Sequence, residues 1–317
     1  MYDAHMHVSS DDPAEALQIL DACGITRAAI MNKGYGRERP NEEHTRWERV
    51  GFAILERYPD RFAVFPTVDF SRMDEPGFGQ RAAERFEEAV RRGGSGLKLW
   101  LGKPDHHWMA LHDPRIGAVY EKAAELHVPV LIHVGDPAEY WEREIKPDSF
   151  WYEILQANPQ WSFYGKPVPS RETLFEEQRQ MLEMYPETTF ICPHMAGHAR
   201  NLAYLGQLLD ACPNLFIDTT AYEPVLGQEP ERARPFFIQY QDRILFGTDN
   251  GWVETELEIL VQRMRAKRLF YESDVEQRDL DGYMPRKPGY TMRGMSLPPG
   301  VIDKIYRENA ARVIPGW

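Results

Sequence analysis

The sequence predicts one α/β domain, a (β/α)8 (TIM) barrel, on three observations. Its 317 residues match the length that such barrels reach as a single unit. Short apolar runs alternate with longer amphipathic runs along the chain and supply eight strand and helix pairs. No Gly-rich dinucleotide loop follows the first strand, which disfavours the alternative of a doubly wound sheet.

The predicted elements follow one another in alternation. Strands are predicted at residues 2–8, 26–31, 62–68, 96–101, 128–134, 188–192, 215–218 and 243–247. Helices are predicted at residues 12–23, 41–57, 79–92, 116–127, 171–185, 202–211, 230–240 and 254–270. Gly24 and Gly93 each follow the last periodic residue of a helix, where glycine is typical, and Pro59 closes the second helix. Residues 128–134 form a continuous apolar run, which indicates a strand covered on both faces.

Two segments exceed the minimal barrel. Residues 135–170, a loop insertion after the fifth strand, are long and rich in aromatic side chains, namely Trp141, Phe150, Trp151, Tyr152, Trp161, Phe163 and Tyr164. Loops at the C-terminal ends of barrel strands carry the active site, so this insertion is predicted to be a lid. A packed excursion against the barrel flank is the alternative. Residues 271–298 lead into a C-terminal helical extension at residues 299–312, and residues 1–317 are expected to form one domain.

Composition excludes some classes of partner. The chain has 37 basic and 49 acidic side chains and a net charge of -12, so nucleic acid and anionic membranes are not expected as partners. No run approaches the roughly 20 apolar residues that span a bilayer, and the first residues lack a signal-peptide pattern. Three unclustered cysteines, Cys23, Cys192 and Cys212, favour the reducing cytoplasm over a disulfide scaffold. A small-molecule substrate is expected, and a homo-oligomer is left open.

Chemistry-bearing residues lie where predicted strands end. His5 and His7 stand two positions apart at the end of the first strand, so their side chains point the same way. His133 ends the fifth strand, His194 ends the sixth and Asp249 follows the eighth. The C-terminal ends of barrel strands meet at one rim, so these five side chains are expected to converge there. Histidines and a carboxylate in such a group indicate a divalent metal site.

The same residues stand in motifs that resemble the amidohydrolase superfamily, in its amidohydrolase-2 (decarboxylase-like) branch. The matching pieces run in order over nearly the whole chain: Asp3-Ala-His5-Met-His7, Gly96-Leu-Lys98-Leu, Pro129-Val-Leu-Ile-His133, Phe190-Ile-Cys-Pro-His194, Asn214-Leu-Phe-Ile-Asp218, Arg243-Ile-Leu-Phe-Gly-Thr-Asp249 and Ile305-Tyr-Arg-Glu-Asn309-Ala-Ala-Arg312. The ordered set is far more specific than any one motif. It implies a metal-dependent barrel enzyme.

The resemblance implies a role for each residue of the rim. His5, His7, His133 and Asp249 bind one divalent ion, Zn2+ or Mn2+, and leave a position open for water. Asp249 also takes the proton of the attacking water. His194 is implied as a second-sphere acid or polarising group beside the developing oxyanion.

Four further residues are expected to face the substrate. Lys98, at the end of the fourth strand, corresponds to a lysine that is carboxylated between two metals in the binuclear branch of the superfamily. Here one metal is expected, with a free Lys98 ammonium that holds a substrate oxygen. Trp100, Tyr222 and Trp252 follow strands four, seven and eight, so they are predicted to line the pocket, although aromatic loop residues also serve in packing.

The expected function is a metal-dependent hydrolase that activates a metal-bound water against a small carbonyl compound such as a lactone, an ester or an amide. The alternative is a metal-dependent non-oxidative decarboxylase of an aromatic or enoic acid. A barrel that only binds a ligand is a third class, and an intact general base beside an open metal argues against it. The two reactions use the same ligands, so the sequence does not separate them.

Overall fold

Eight parallel strands form the centre of the molecule in the computed structural model, which describes residues 1–8, 10–32, 42–251, 256–279 and 287–317. The strands are Tyr2–Met6 (β1), Arg27–Met31 (β2), Phe62–Phe65 (β3), Leu97–Gly102 (β4), Val130–Val134 (β5), Phe190–Cys192 (β6), Leu215–Asp218 (β7) and Ile244–Leu245 (β8). Nearly all of their residues are buried, as expected for parallel strands covered on both faces.

Backbone hydrogen bonds close the strands into a barrel. The strands pair in two arcs, β1 to β3 and β4 to β8. At one seam Lys98 N donates to Pro66 O at 2.7 Å, beside a parallel bridge between Thr67 and Lys98. At the other seam Ala4 N donates to Phe246 O at 2.9 Å. The predicted (β/α)8 barrel is confirmed.

Helices surround the strands. They are Pro13–Cys23 (α1), Glu42–Arg57 (α2), Phe78–Arg91 (α3), Pro114–Glu125 (α4), Tyr152–Ala157 (α5), Arg171–Met184 (α6), Leu202–Ala211 (α7), Glu223–Leu226 (α8), Pro230–Gln239 (α9), Leu257–Glu272 (α10), Pro299–Asp303 (α11) and Asn309–Val313 (α12), with a π turn at Lys304–Glu308 between the last two. The sequence pattern missed α5, α8 and an antiparallel pair, Glu276–Arg278 (β9) and Thr291–Arg293 (β10). Within the described ranges no helix is both long and apolar enough to cross a membrane.

Capping residues fix the ends of helices α1 and α6. The side chain of Asp12 accepts from Ala14 N at the start of α1, and Gly24 ends this helix with φ 68°. Ser170 caps α6 by accepting from Thr173 N. Such caps satisfy amide groups that have no partner inside the helix.

Two apolar clusters divide the core. The smaller one joins residues of six strands, which can meet only inside the barrel, and it includes Ala4, Ala29, Met31, Ala63, Phe65, Leu131, Ile191 and Leu245. Ala310 and Ile314 belong to the same cluster, so the C-terminal helix covers the barrel at the end where the strands begin. The larger cluster lies between strands and helices. The opposite mouth, where the strands end, is left for polar residues.

The insertion of residues 135–170 packs on the barrel at several points. Tyr140, Phe150, Trp151 and Phe163 are buried within it. Two residues from outside the insertion donate to it: Lys287 donates to Pro147 O at 2.8 Å, and Arg200 donates to Glu139 Oε1 at 2.6 Å. These contacts fit the interpretation of the insertion as a segment packed against the barrel. Its role as a lid stays a prediction.

Candidate metal centre

His5, His7 and Asp249 meet because the loop after β8 pairs with the end of β1. Asp249 N donates to His5 O at 2.8 Å, and His7 N donates to Asn250 O at 2.7 Å. Asp249 has φ 56° and Gly251 has φ 78°, in the left-handed region that favours glycine. A Cβ on Gly251 would lie 1.9 Å from His7 O, so only glycine allows this close approach. The loop therefore carries the Asp249 carboxylate to the two imidazoles.

The three side chains have the spacing of metal ligands. His5 and His7 are buried, whereas the Asp249 side chain is 26% exposed at the mouth. Asp249 Oδ1 lies 3.3 Å from His5 Nε2 and 3.1 Å from His7 Nε2. One ligand atom from each residue lies within 4.8 Å of the other two. Such a group suits a divalent ion bound by two imidazoles and a carboxylate.

The remote nitrogen of each imidazole already faces an acceptor. His5 Nδ1 lies 2.8 Å from Asp218 Oδ2, and His7 Nδ1 lies 3.1 Å from Met31 O. A carboxylate and a carbonyl only accept, so each Nδ1 carries the proton. Both Nε2 lone pairs then face Asp249 Oδ1, which is also an acceptor. Three acceptors that converge without a proton fit a cation, and histidines that bind metals are usually oriented in this way.

The protonation states also suit a cation. Burial lowers the pKa of His7 to about 3 and lowers the pKa of His5. Burial opposes the charge of Asp249, but the charge that His5 and His7 carry at the low pH where this carboxyl would otherwise be protonated holds its pKa well below its usual range. At neutral pH the group consists of two neutral imidazoles and one carboxylate, which are the forms that coordinate metals.

Asp218, the last residue of β7, holds several parts of the site. Its buried carboxylate accepts from His5 Nδ1 at 2.8 Å, from His194 N at 2.9 Å, and from Thr220 N at 3.0 Å and Oγ1 at 2.5 Å. Burial opposes its charge, but His5 and these donors hold the pKa of Asp218 well below its usual range. No role for Asp218 was predicted from the sequence. The available signal was an aspartate at the C-terminal end of a barrel strand.

Asp3 ties the backbone of His5 to the loop after β8. Its carboxyl accepts from His5 N and Thr248 N, both at 3.0 Å, and from Thr248 Oγ1 at 2.5 Å. Asp3 is fully buried, and burial raises the pKa of its carboxyl to about 7. The two aspartates thus fix the backbone and the ring of the same histidine.

His194 begins a left-handed turn after β6. His194, Met195 and Ala196 have φ values of 58°, 55° and 51°, a conformation that costs roughly 1–2 kcal/mol per non-glycine residue. His194 Nδ1 lies 3.0 Å from Thr220 O, so this nitrogen carries the proton and Nε2 stays available for chemistry. The ring centroid of His194 lies 5.5 Å from that of His5. The structure therefore brings His194 to the same mouth.

His133, the fourth predicted ligand, lies beside His194 and outside the three-residue group. Their ring centroids are 5.0 Å apart. His133 Nε2 is 3.4 Å from Asp136 Oδ1, and neither ring nitrogen has a hydrogen-bond partner in the described part of the chain. Burial lowers the pKa of His133 to about 4. Sequence reasoning missed Asp136, which lies in the insertion, and Lys103, whose Nζ is 3.5 Å from Asp136 Oδ2.

Lys98 and Trp100 extend from β4 into the same region. The Trp100 ring stacks on His7 and on His133, with centroid distances of 5.6 and 6.0 Å. Lys98 Nζ lies 4.1 Å from the centre of the Trp100 ring. Lys98 is fully buried, its Nζ has no hydrogen-bond partner among the described residues, and burial lowers its pKa to about 7.

The two remaining pocket residues are less informative. Tyr222 is buried, and its ring meets the edge of the Trp151 ring in the insertion, with centroids 5.5 Å apart. Trp252 lies outside the described residues. A substrate-binding role for either residue stays a prediction.

The fold and the site together define the class of this protein. It is a (β/α)8 barrel with a candidate metal site of two histidines and one aspartate at its C-terminal mouth. The family model for amidohydrolases matches residues 2–316. The chain therefore belongs to the amidohydrolase family, whose members are metal-dependent enzymes, and the predicted membership is confirmed. None of the curated proteins compared with the chain matches it significantly.

Solved structures of similar fold come from proteins that are named for different reactions. A 4-oxalomesaconate hydratase from Rhodopseudomonas palustris is 16% identical, with a TM-score of 0.58 over 99% of this chain and 95% of that chain. A 2,6-dihydroxybenzoate decarboxylase from Rhizobium is 15% identical, with a TM-score of 0.54 over 98% and 97% of the two chains. A Pseudomonas putida protein, described as a candidate 2-pyrone-4,6-dicarboxylic acid hydrolase, is 13% identical, with a TM-score of 0.54 over 98% and 96%. At such identities the likeness shows the fold alone.

Proposed function

We propose that this protein is a metal-dependent hydrolase of a small carbonyl compound such as a lactone, an ester or an amide. The observation that carries the proposal is the convergence of His5 Nε2, His7 Nε2 and Asp249 Oδ1, three acceptors whose mutual repulsion needs a cation to offset it. The ionised carboxylate stands at the more exposed side of the group, where a small substrate and water arrive.

One ion, Zn2+ or Mn2+, suits this donor set of nitrogen and oxygen atoms. His5, His7 and Asp249 would hold it, and His133 would complete the set from β5, on the other side of the mouth. When bound, the ion supplies Lewis acidity and lowers the pKa of a coordinated water.

Asp249 and His194 then divide the proton transfers. The Asp249 carboxylate is ionised at neutral pH, so it accepts the proton of the attacking water. His194 Nδ1 is engaged with Thr220 O, so its Nε2, when protonated, donates to the substrate oxygen that gains charge. Asp218 orients both histidines through His5 Nδ1 and His194 N.

Lys98 and Trp100 would receive the rest of the substrate. The Lys98 ammonium is buried without a hydrogen-bond acceptor among the described residues, so a substrate oxygen would supply the missing partner. The adjoining Trp100 ring would add apolar contact beside this ammonium.

A decarboxylase of an aromatic or enoic acid is the second candidate, and the same pair of residues favours it. A buried ammonium 4.1 Å from an indole ring suits an aromatic carboxylate, whose ring stacks while its oxygens meet the charge. In this reaction the Asp249 carboxylate would first take a proton from water and then deliver it to the substrate carbon whose bond to CO2 breaks.

The experiment supplies purified protein with Zn2+ or Mn2+ and offers lactone, ester, amide and hydroxybenzoate panels. Proton release from lactones and esters, amine or ammonia release from amides, and CO2 are followed separately, with Asp249→Asn as the inactive control. Release of protons or amine without CO2 supports the hydrolase, and CO2 from a hydroxybenzoate supports the second candidate. Failure of the wild-type protein to bind either metal would contradict both.

A further inference from the structure

An ion pair lies buried behind the metal centre, and the proposed chemistry does not use it. Lys267 of α10 donates to Glu223 Oε1 of α8, and the two side chains are 2% and 0% exposed. The rings of Phe246 and Phe270 pack against Tyr271 beside this pair. Such a pair must overcome a large desolvation cost and is weak evidence for stabilisation by itself. Its position therefore calls for another explanation.

Tyr271 connects this pair to the end of β7. Its hydroxyl donates to Glu223 Oε1 at 3.4 Å and forms a short hydrogen bond with Thr219 Oγ1. Lys267 and Tyr271 are four positions apart on α10, so they lie on one face of the helix. Thr219 is fully buried, so its hydroxyl depends on this protein partner.

Thr219 stands between the two residues that orient the histidines of the site. On one side Asp218 accepts from His5 Nδ1 at 2.8 Å and from His194 N at 2.9 Å. On the other side Thr220 O accepts from His194 Nδ1 at 3.0 Å. The backbone position of residues 218–220 consequently sets the direction of both rings.

We propose that Glu223, Lys267 and Tyr271 are positioning residues that hold residues 218–220 in place for His5 and His194. The ion pair fixes the Glu223 carboxylate, this carboxylate fixes the Tyr271 hydroxyl, and the hydroxyl holds Thr219. Metal affinity and the placement of His194 then depend on groups that touch neither metal nor substrate. The inference rests on the proposed metal-dependent function.

The test removes single hydroxyls, because variants of Glu223 or Lys267 would leave an unpaired buried charge. Tyr271→Phe and Thr219→Val keep the shape of the core, and Thr219→Ser keeps the hydroxyl. The expected result is a Zn2+ dissociation constant raised about tenfold in Tyr271→Phe and Thr219→Val, with near wild-type affinity in Thr219→Ser. Competition with a chelator measures these constants.

A metal-free readout separates this inference from the proposed function. Amide hydrogen exchange at His194 and Thr220, which both donate to Asp218, should be several-fold faster in Tyr271→Phe without added metal. Phe237→Leu is the matched control, because its ring packs near Tyr271 and contributes no hydroxyl. This control should lower the melting temperature and leave exchange at the two amides and Zn2+ affinity unchanged.

Unchanged amide exchange in Tyr271→Phe and Thr219→Val would overturn the inference and reduce the network to a packing role. The same conclusion follows if Phe237→Leu changes exchange and Zn2+ affinity as much as Tyr271→Phe does. If the wild-type protein binds neither Zn2+ nor Mn2+, while amide exchange is still faster in Tyr271→Phe, the proposed function is contradicted and the positioning network is kept.

Discussion

The two sides of the barrel mouth differ in how their polar groups are satisfied. On the side of β1 and β8, the Nδ1 atoms of His5 and His7 have acceptors at 2.8 and 3.1 Å, and Asp218 accepts four hydrogen bonds. On the side of β4 and β5, Lys98 Nζ and both nitrogens of His133 are buried without a hydrogen-bond partner in the described part of the chain.

On the β1 and β8 side, called the complete side below, the supporting hydrogen bonds are in place and the ligand atoms await only an ion. On the β4 and β5 side, called the incomplete side, the buried groups have no such support from the described residues. A buried polar group without a partner costs about 1–3 kcal/mol, so a cluster of them is retained only where a further group supplies the partners. The β1 and β8 side, with its ligand atoms already oriented, is organised to bind an ion. The β4 and β5 side is organised to receive the substrate, with His133 at the boundary between the two.

The metal ligands give the largest expected effect. His5→Ala removes a ligand and one of the four hydrogen bonds to the buried Asp218, so Zn2+ occupancy should fall from about one equivalent to below about a tenth. His133→Ala should also lose the ion if this histidine completes the set from the other side. Metal analysis of the purified variants measures both results.

His198, a fourth buried histidine among the described residues, provides the control for this comparison. His198 lies outside the group, and its Nε2 is 3.2 Å from Gln178 Oε1. His198→Asn should keep full metal content. Full occupancy in His133→Ala, with loss in His5→Ala, would assign His133 to the substrate side, whereas full occupancy in both would refute the metal centre.

Asp249→Asn tests the one residue with two functions on the complete side. An amide neither takes the proton of water nor brings charge to the ion, so kcat should fall by roughly 10³-fold. The barrel should remain folded, because the Asp249 side chain is partly exposed and the loop is held by backbone hydrogen bonds. Circular dichroism and steady-state kinetics measure the two expectations, and an active variant would exclude the assigned base.

Local sequence patterns were enough to predict the barrel and to place His5, His7 and Asp249 at one rim. Alternating apolar runs predicted the strands because burial imposes a period on nearby residues. His5 and His7 were found because a strand sends side chains two apart to the same face. Asp249 was found because the strand ends of a barrel meet at one rim.

The supporting contacts required the folded chain. Asp218 meets His5 across 213 positions of sequence, and Glu223 meets Lys267 across 44. No local period encodes either pairing, so neither role could be predicted from spacing. Asp136 was missed for a related reason, since it belongs to an irregular insertion whose path depends on packing rather than on a repeating pattern.

His194→Asn tests the boundary between the two sides. The substitution removes the imidazole Nε2 that donates to the substrate oxygen in the proposed mechanism, so kcat should fall by roughly 10²-fold, while metal content stays near the wild-type value. The Asn side chain also keeps a donor for Thr220 O, which limits the disturbance of the turn. Loss of the ion in this variant would make His194 a ligand and favour a binuclear site.

The smallest expected effect belongs to Lys98, which tests the incomplete side directly. Burial lowers the pKa of Lys98 to about 7, so the ammonium that binds a substrate oxygen is present below this pH and lost above it. KM should therefore rise as the pH increases through about 7, and at pH 6 Lys98→Met should raise KM about tenfold without changing metal content. In the variant the dependence of KM on pH should disappear. Lys103→Met is the matched comparison, since this second lysine is paired with Asp136 at 3.5 Å and its charge helps to lower the Lys98 pKa. It should keep a pH-dependent KM and move the transition slightly to higher pH. Activation of the wild-type protein by bicarbonate, together with two equivalents of metal, would instead identify a carboxylated Lys98 between two ions and assign it to the metal centre.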